Sequence, residues 1–432
     1  MLAGKSSPRR RPHLIVRRAL LSVAVLAAAS LLIAAVGSQP PTVERIPAMA
    51  VTDPAFARTL QAHLGAPVVE GNRVDLLLNG DEIFPAKLAA VRAARQSINY
   101  AEYFWAEGAV AQQLADALAE RCRAGIRVNV LLDGVGTLAM PGEHVDTMRR
   151  ASCRVETFRP LGRWSVRGHN NRNHRRILVV DGRVGITGGS GVSEKWTGDG
   201  HAAGHWRDTD VRIEGPAVEW LQAAFVENWR EATRELLGGA DYFPVPRLGG
   251  GDVRVQVIPS SPGGGYAAYT MVLLALTSAR QSILLTNPYF VLDDPMTEAL
   301  LAATRRGVRV VALTPGKIDH NLVRSASRHD FGRLLQGGVQ IFEYQAALLH
   351  AKTLVIDGAW GSVGSTNLDN RSFALNDELN VALYDRSVAG RLQEVFERDL
   401  ADARRVTYDD WAHRGLTTRL QELLVRPVRD LL

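Results

Sequence analysis

The stretch Leu349–Phe373, LHAKTLVIDGAWGSVGSTNLDNRSF, decides how the chain is read. His350 and Lys352 stand two residues apart ahead of the aliphatic run TLVI, and in an extended segment that spacing aims both at one face. Asp357-Gly358 is a hairpin-turn dipeptide. Asp357 lies roughly 23 Å along an extended chain from His350, too far to orient the imidazole, so geometry assigns it to the turn. With those two residues at the corner, position 350 faces 365 and 352 faces 363. Gly364, Ser365 and Asn367 then return beside the histidine and the lysine. Small residues let an anion approach the backbone, and Asn367 adds an amide donor. The result is a cradle for one side of a phosphate.

The other side is supplied by the same chain. NHRRILVVDGRVGITGGSGVSEKW, from Asn173, has the same layout: His174 and Arg176, the aliphatic ILVV, then Asp181-Gly182. Gly188 and Gly189 follow seven residues after the Asp, as Gly364 and Ser365 do in the other copy. The repeat extends upstream, where AARQSINYAEYFW from Ala93 matches SARQSILLTNPYF from Ser278. Each is followed by a helical pattern, a glycine stop at Gly125 or Gly307, and a β-branched run. Strand, helix, strand predicts parallel strands joined by a crossover helix. The chain therefore divides near LGGGD, residues 248–252, into two homologous α/β halves.

Two facing halves place two histidines across one phosphorus. One neutral imidazole attacks, and the other protonates the leaving alkoxide and then deprotonates the incoming alcohol or water. An ordinary histidine pKa near 6.5 gives access to both protonation states near neutrality. Arg176 and Lys352 neutralise the non-bridging oxygens, so no metal and no cofactor is required. Each histidine needs an orienting carboxylate, and a candidate follows each motif. These are Asp208 in HWRDTD, with Asp210 in reserve, and Glu378 in NDELNV.

Composition bounds the reading. The chain has 432 residues, enough for two or three domains, and 46% hydrophobic with 22% charged residues describes a folded protein. The net charge of +6 suits an anionic partner, although part of it sits in the N-terminal arginines. Cys122 and Cys153 are too few for a disulfide scaffold or a four-thiolate metal site. Residues 1–18 are basic and run into an uncharged stretch from Ala19 to Val36, about 27 Å long as a helix. Arginines ahead of it predict an N-in orientation, with the body outside the cytoplasm. Two readings stay open. The segment is an uncleaved anchor, which its length favours, or a signal peptide cleaved near AVGSQ. In an exported body the two cysteines form a disulfide or remain separate buried thiols.

The paired motifs are those of the phospholipase D superfamily, HxKxxxxD followed by G-G/S-x-N, and the resemblance covers about residues 54–420. EYFW, LLDGVGT, FRPLGRW, HWRDTDVRIEGPAV and PYFVLDD are similar to its bacterial cardiolipin synthase branch. The signature includes Asp181 and Asp357. The second copy matches throughout, whereas in the first Arg176 stands for Lys and Gly191 for Asn. The resemblance implies two homologous phospholipase D-like αβα sandwich domains, each a mixed sheet flanked by helices, packed pseudo-twofold. With the N-terminal transmembrane helix, the layout is 1–40 anchor or signal, 54–245 first domain and 252–432 second domain. It also implies His174 as nucleophile and His350 as acid and base.

The implied activity is phosphatidyl transfer between phospholipids, with phosphatidylglycerol as donor and glycerol released. Anionic phospholipids and the membrane are then the partners. The alternatives are a phospholipase D-type hydrolase or phosphodiesterase, and a lipid-binding scaffold with a decayed first half-site. No basic stripe interleaved with aromatics is present beyond the N-terminal tail, and no nucleic-acid partner is expected.

Further candidates are weaker. Glu102, Tyr103 and Tyr289 end strands where they line a pocket or pack in the core. His320 falls in a loop that the resemblance places on the substrate side. His201 and His205 have metal-compatible spacing only on a helix, and the glycines of GDGHAAGH argue for a loop. Trp196, Trp206 and Trp229 face lipid or, more commonly for such residues, pack inside. The amphipathic C-terminus, residues 416–432, docks on the body or rests on an anionic membrane.

Overall fold

The structure, a computed structural model, describes residues 43, 45–162, 170–248, 250–264, 266–318 and 321–425. The apolar run 19–36 and His320 lie outside the described residues. No described helix is long and apolar enough to cross a membrane.

The first copy contributes strands β1 (Val68–Leu78), β2 (Ser97–Glu102), β3 (Arg127–Asp133), β4 (Arg154–Phe158), β5 (Ile177–Val180), β6 (Val184–Gly188), β7 (Trp206–Arg207) and β8 (Thr209–Glu214). The second contributes β9 (Val253–Ser260), β10 (Ser282–Thr286), β11 (Arg309–Pro315), β12 (Gln340–Tyr344), β13 (Leu348–Leu349), β14 (Thr353–Ile356), β15 (Trp360–Gly364), β16 (Glu378–Tyr384) and β17 (Ala403–Val406). Among the described residues, 15 of them form one mixed sheet in the order β17-β12-β11-β10-β14-β15-β16-β9-β1-β8-β6-β5-β2-β3-β4. Outward from the antiparallel β1–β9 pair, six equivalent strands are met in both directions, and β17 adds an edge to the second copy alone.

The helical patterns sit where a crossover requires them. Ala109–Arg123 joins the parallel strands β2 and β3, and Asp294–Arg305 joins β10 and β11. Both faces of the sheet are covered. On β10, Ile283 and Leu285 enter one core with the helices Ala267–Ser278 and Asp294–Arg305, while Leu284 enters another with Val388, Leu392 and Phe396. In β2, Ile98 and Tyr100 pack with Leu114 and Leu118, and Ala101 packs on the opposite side with Phe225 and Trp229. Period-2 alternation between two apolar layers explains why these strands read as nearly continuous hydrophobic runs.

The hairpins differ from the sequence reading by one residue. Ile356 pairs with Trp360 and Thr353 with Val363, so Gly364, not Val363, comes opposite Lys352. Three residues occupy the corner, because Asp357 (φ 55°) and Gly358 (φ 56°) are both left-handed and Ala359 completes the turn by donating its N–H to the Ile356 carbonyl. The first copy repeats this, with φ 53° at Asp181, φ 60° at Gly182 and Val180 paired with Val184.

The corner explains the repeated ARQS. The Asp181 carboxylate accepts the backbone N–H groups of Arg95, Gln96 and Ser97 at 2.9, 2.7 and 2.9 Å. Asp357 accepts those of Arg280, Gln281 and Ser282 at 3.0, 2.7 and 2.9 Å. Each carboxylate thus ties its hairpin to the start of the neighbouring strand.

Cys122, at the end of the helix Ala109–Arg123, and Cys153, just ahead of β4, are joined in a disulfide, with Cα atoms 5.5 Å apart. The helix Leu416–Val425 packs on the body against Asn321–His329.

Candidate active site

The two motifs meet where the copies cross. A parallel bridge joins Asn173 to Asp377, and the short strands β7 and β13 pair in parallel, Arg207 beside Leu349. His174 donates its backbone N–H to the Asp377 carbonyl, and His350 donates its own to the Arg207 carbonyl, each at 2.8 Å. Each histidine is therefore anchored to the residue just before the other copy's carboxylate.

The side chains cross as well. His174 Nδ1 lies 2.9 Å from both oxygens of Glu378, and His350 Nδ1 lies 2.7 Å from Asp208 Oδ2. A carboxylate at Nδ1 holds the proton there and leaves Nε2 unprotonated for chemistry. The sequence reading named the two carboxylates without pairing them; in the structure Glu378 holds His174 and Asp208 holds His350. The physical reason is that the strand segments carrying the carboxylates pass into the facing copy, through the two bridges above.

Both carboxylates are themselves fixed. Ser365 Oγ donates to Glu378 Oε2 at 2.5 Å and Asn376 Nδ2 to Oε1 at 3.3 Å. Trp196 Nε1 donates to Asp208 Oδ2 at 2.8 Å, and the Thr209 N–H to Oδ1 at 2.8 Å. Gly189 occupies the position of Ser365, and a Cβ there would stand 2.3 Å from Asp208 Oδ1. Gly188 faces Asp210 just as closely. Asp210, the reserve candidate, is committed elsewhere: it accepts from Ser190 Oγ at 2.6 Å and lies 3.3 Å from the buried Lys87 ammonium.

Each motif cation lies beside its histidine. Arg176 Nη2 is 3.2 Å from His174 Nε2, and Lys352 Nζ lies against the His350 ring, 2.9 Å from Nδ1 and 3.1 Å from Nε2. Burial pushes His174 down to about 4; Glu378 pulls it back up, while Arg176 and Lys352 add to the fall. Burial and then Lys352 push His350 down to about 4 against the pull of Asp208, and Arg176 contributes. Each cation is thus felt at both imidazoles. Burial works against the charge of Asp208, yet His350, Lys352 and the Trp196 N–H hold its carboxyl well below the usual carboxylate range. Two neutral imidazoles beside two fixed cations suit the attack of a nitrogen on an anionic phosphodiester.

The remaining candidates fall around this core. Asn367 is buried, and its Oδ1 accepts no hydrogen bond from the described residues. Gly191 takes its place in the first copy, where Phe104 and Trp196 leave a Cβ only 3.0 Å of room. Glu102 sits behind Arg176 instead of on a pocket wall: it is fully buried, 3.8 Å from Arg176 Nε, and accepts the Tyr103 N–H. Tyr289 receives the Leu368 N–H on its carbonyl and so braces the loop that carries Asn367. His201 and His205 lie in a loop and turn to different partners, Asp402 and the Thr197 carbonyl. Asp181 and Asp357 are at the hairpin corners, not beside the imidazoles.

Sequence reasoning missed Arg175 and the place of two tryptophans beside His350, whereas Tyr103 was already a pocket candidate. Arg175, inside the first motif, is fully buried and donates from Nε to the Glu378 carbonyl and from Nη1 to Asn228 Oδ1. An arginine between His174 and Arg176, in extended chain just ahead of β5, was the available signal. Tyr103 stands edge-on to His174, with ring centroids 4.6 Å apart. Trp196 and Trp206 flank His350 at 5.2 and 5.0 Å.

The profile of the family described as "Cardiolipin synthase, PLD-like domain" matches residues 272–400. Over 366 residues the chain is 34% identical to cardiolipin synthase of Oceanobacillus iheyensis, covering 84% of this chain and 76% of that one. It is 35% identical over 368 residues to cardiolipin synthase A of Pseudomonas aeruginosa, covering 84% and 73%. The fold is shared with phosphatidylserine synthase of Haemophilus influenzae, at a TM-score of 0.66 over 88% of this chain and 100% of that one, with 11% identity. The length of these matches joins the paired motifs to one conclusion: the chain belongs to the cardiolipin synthase family.

Proposed function

We propose that this protein is a cardiolipin synthase-type phosphatidyltransferase that works through a phosphohistidine. The observation that carries the reading is the crossed pair of imidazoles. Each is buried, each sets Nδ1 against a carboxylate of the other copy, and each has a cation beside its ring.

His174 Nε2 attacks the phosphorus of the donor, and His350 passes a proton to the departing glycerol oxygen. His350 carries that proton once the phosphate is bound, because an anion beside it raises its low pKa. The Nε2–phosphorus bond then breaks as the acceptor hydroxyl attacks and returns its proton to His350. Arg176 and Lys352 neutralise the non-bridging oxygens in both steps. Glu378 stabilises the cationic imidazole that His174 becomes.

The departures at 176 and 191 are compatible with activity, since Arg176 keeps a cation at His174 Nε2 and Glu378 keeps its proton in place. The two repeats are read as two phospholipase D-like domains, 54–245 and 252–432. The run Ala19–Val36 anchors them to the inner membrane, with the body on the extracytoplasmic side. The Cys122–Cys153 disulfide supports that side, because such bonds persist in oxidising compartments.

Incubating the purified protein with phosphatidylglycerol vesicles tests the reading. Glycerol and a diacyl-lipid dimer are expected, with a covalent phosphatidyl adduct that disappears in His174→Ala. Phosphatidic acid as the sole lipid product would make the protein a hydrolase.

A further inference from the structure

Transfer to a second lipid needs more than a reactive phosphohistidine, because water competes for it at far higher concentration. A second phospholipid carries its own phosphate, three carbons from the attacking hydroxyl. We propose that Lys195 binds that phosphate. Lys195 is then the specificity residue that selects an anionic lipid alcohol as acceptor. The inference rests on the transferase reading above.

Position is the first argument. Lys195 is exposed, on the one-turn helix Glu194–Trp196, with Nζ 5.3 Å from the Trp206 ring and 6.0 Å from Phe104. Trp206 lies 5.0 Å from the His350 ring, so Nζ is within about 10 Å of that imidazole. The cation therefore stands on the side of His350, the acid and base, where glycerol leaves and the acceptor arrives.

Reach is the second. From hydroxyl oxygen to phosphorus through three carbons is five bonds, roughly 6 Å extended. With a hydrogen bond at each end the span grows to about 12 Å, which covers the gap with the linker slightly folded.

Availability is the third. On the His174 side, Arg172 lies 3.3 Å from Asp133 and Arg371 donates to the carbonyl and side chain of Asn170. Lys195 has no such commitment among the described residues. Its neighbour Glu194 accepts the Val110 N–H instead. An exposed cation over a ring gains only about 0.5–1 kcal/mol, little enough for a phosphate to draw it away.

In the selected step, the acceptor oxygen–phosphorus bond forms as the His174 Nε2–phosphorus bond breaks. The hydroxyl proton passes to His350.

The test compares Lys195→Glu, Lys195→Arg and wild type, as full-length protein with phosphatidylglycerol vesicles. It reads the ratio of lipid dimer to phosphatidic acid, and in parallel the ratio of phosphatidylethanol to phosphatidic acid with ethanol as competing acceptor. In Lys195→Glu the dimer ratio is expected to fall about 5- to 10-fold, while Lys195→Arg retains it. The ethanol ratio should not follow, because ethanol brings no phosphate. An unchanged dimer ratio in Lys195→Glu, or an equal fall in both ratios, overturns the assignment of Lys195 alone. A wild type that yields only phosphatidic acid overturns the transferase reading and this inference together.

Discussion

Glu378→Gln places a lesion in the second copy whose effect is read in the first. The wild-type carboxylate accepts from His174 Nδ1, Ser365 Oγ and Asn376 Nδ2. An amide of the same shape must turn its NH2 toward one of those donors, a conflict worth about 1–3 kcal/mol in a buried site. It also removes the charge that stabilises the cationic imidazole, and it favours the tautomer with the proton on Nε2, the attacking atom. Together these raise the barrier to phosphohistidine formation by about 3–5 kcal/mol, a rate loss of about 10²- to 10⁴-fold. The assay is a stopped-flow burst with a nitrophenyl phosphodiester, whose leaving group departs without a general acid. Glu378→Gln should abolish the burst on that scale. Asp208→Asn, which affects His350, should slow turnover of phosphatidylglycerol strongly but the activated ester by less than about 10-fold. The opposite ranking would refute the crossed assignment.

Three more outcomes are expected. Both histidines are held near 4 in the fold and titrate near 6.5 when unfolded, so the unfolded chain binds more protons between those values. Their stability contribution is complete above pH 6.5 and is lost as pH falls toward 4, by about 3 kcal/mol for each histidine; urea midpoints should show a shallower loss in His174→Gln/His350→Gln. Asp357→Ala strips the acceptor from three backbone N–H groups and should cost about 2–4 kcal/mol in urea unfolding, while activity per folded molecule falls far less than in His350→Ala. The disulfide spans 31 residues, for which chain entropy predicts about 3.5 kcal/mol; reductant should lower the wild-type midpoint and leave Cys122→Ser/Cys153→Ser unmoved.

The crossover strands and the paired half-motifs were legible because they obey local rules: alternation along β2 and β10, helical spacing at Leu114 and Leu300, and His and cation two residues apart. The turn at Asp357-Gly358 was recognisable, but its length was not. Whether Ala359 joins the corner or the ladder depends on the left-handed pair before it and on the neighbouring strand. The partner of each carboxylate was out of reach for a different reason. Sequence order brings Asp208 next to the first motif and Glu378 next to the second, whereas the link from His174 to Glu378 exists only once the copies are packed together. Arg175 was overlooked for the same reason, since its acceptors include Asn228 and the Glu378 carbonyl, both distant in sequence.

The β1–β9 pair, continued into β16, has a consequence for how the site stays dry. Strand β9 bonds to β1 on one edge and to β16 on the other, so a single hydrogen-bonded ladder runs from one copy into the next. Such a ladder resists the hinge closure by which many transferases shut solvent out. The separation of the two imidazoles is therefore built into the sheet. In the reading proposed above, protection of the phosphohistidine then falls to the bound lipid, whose acyl chains plug the mouth of the site.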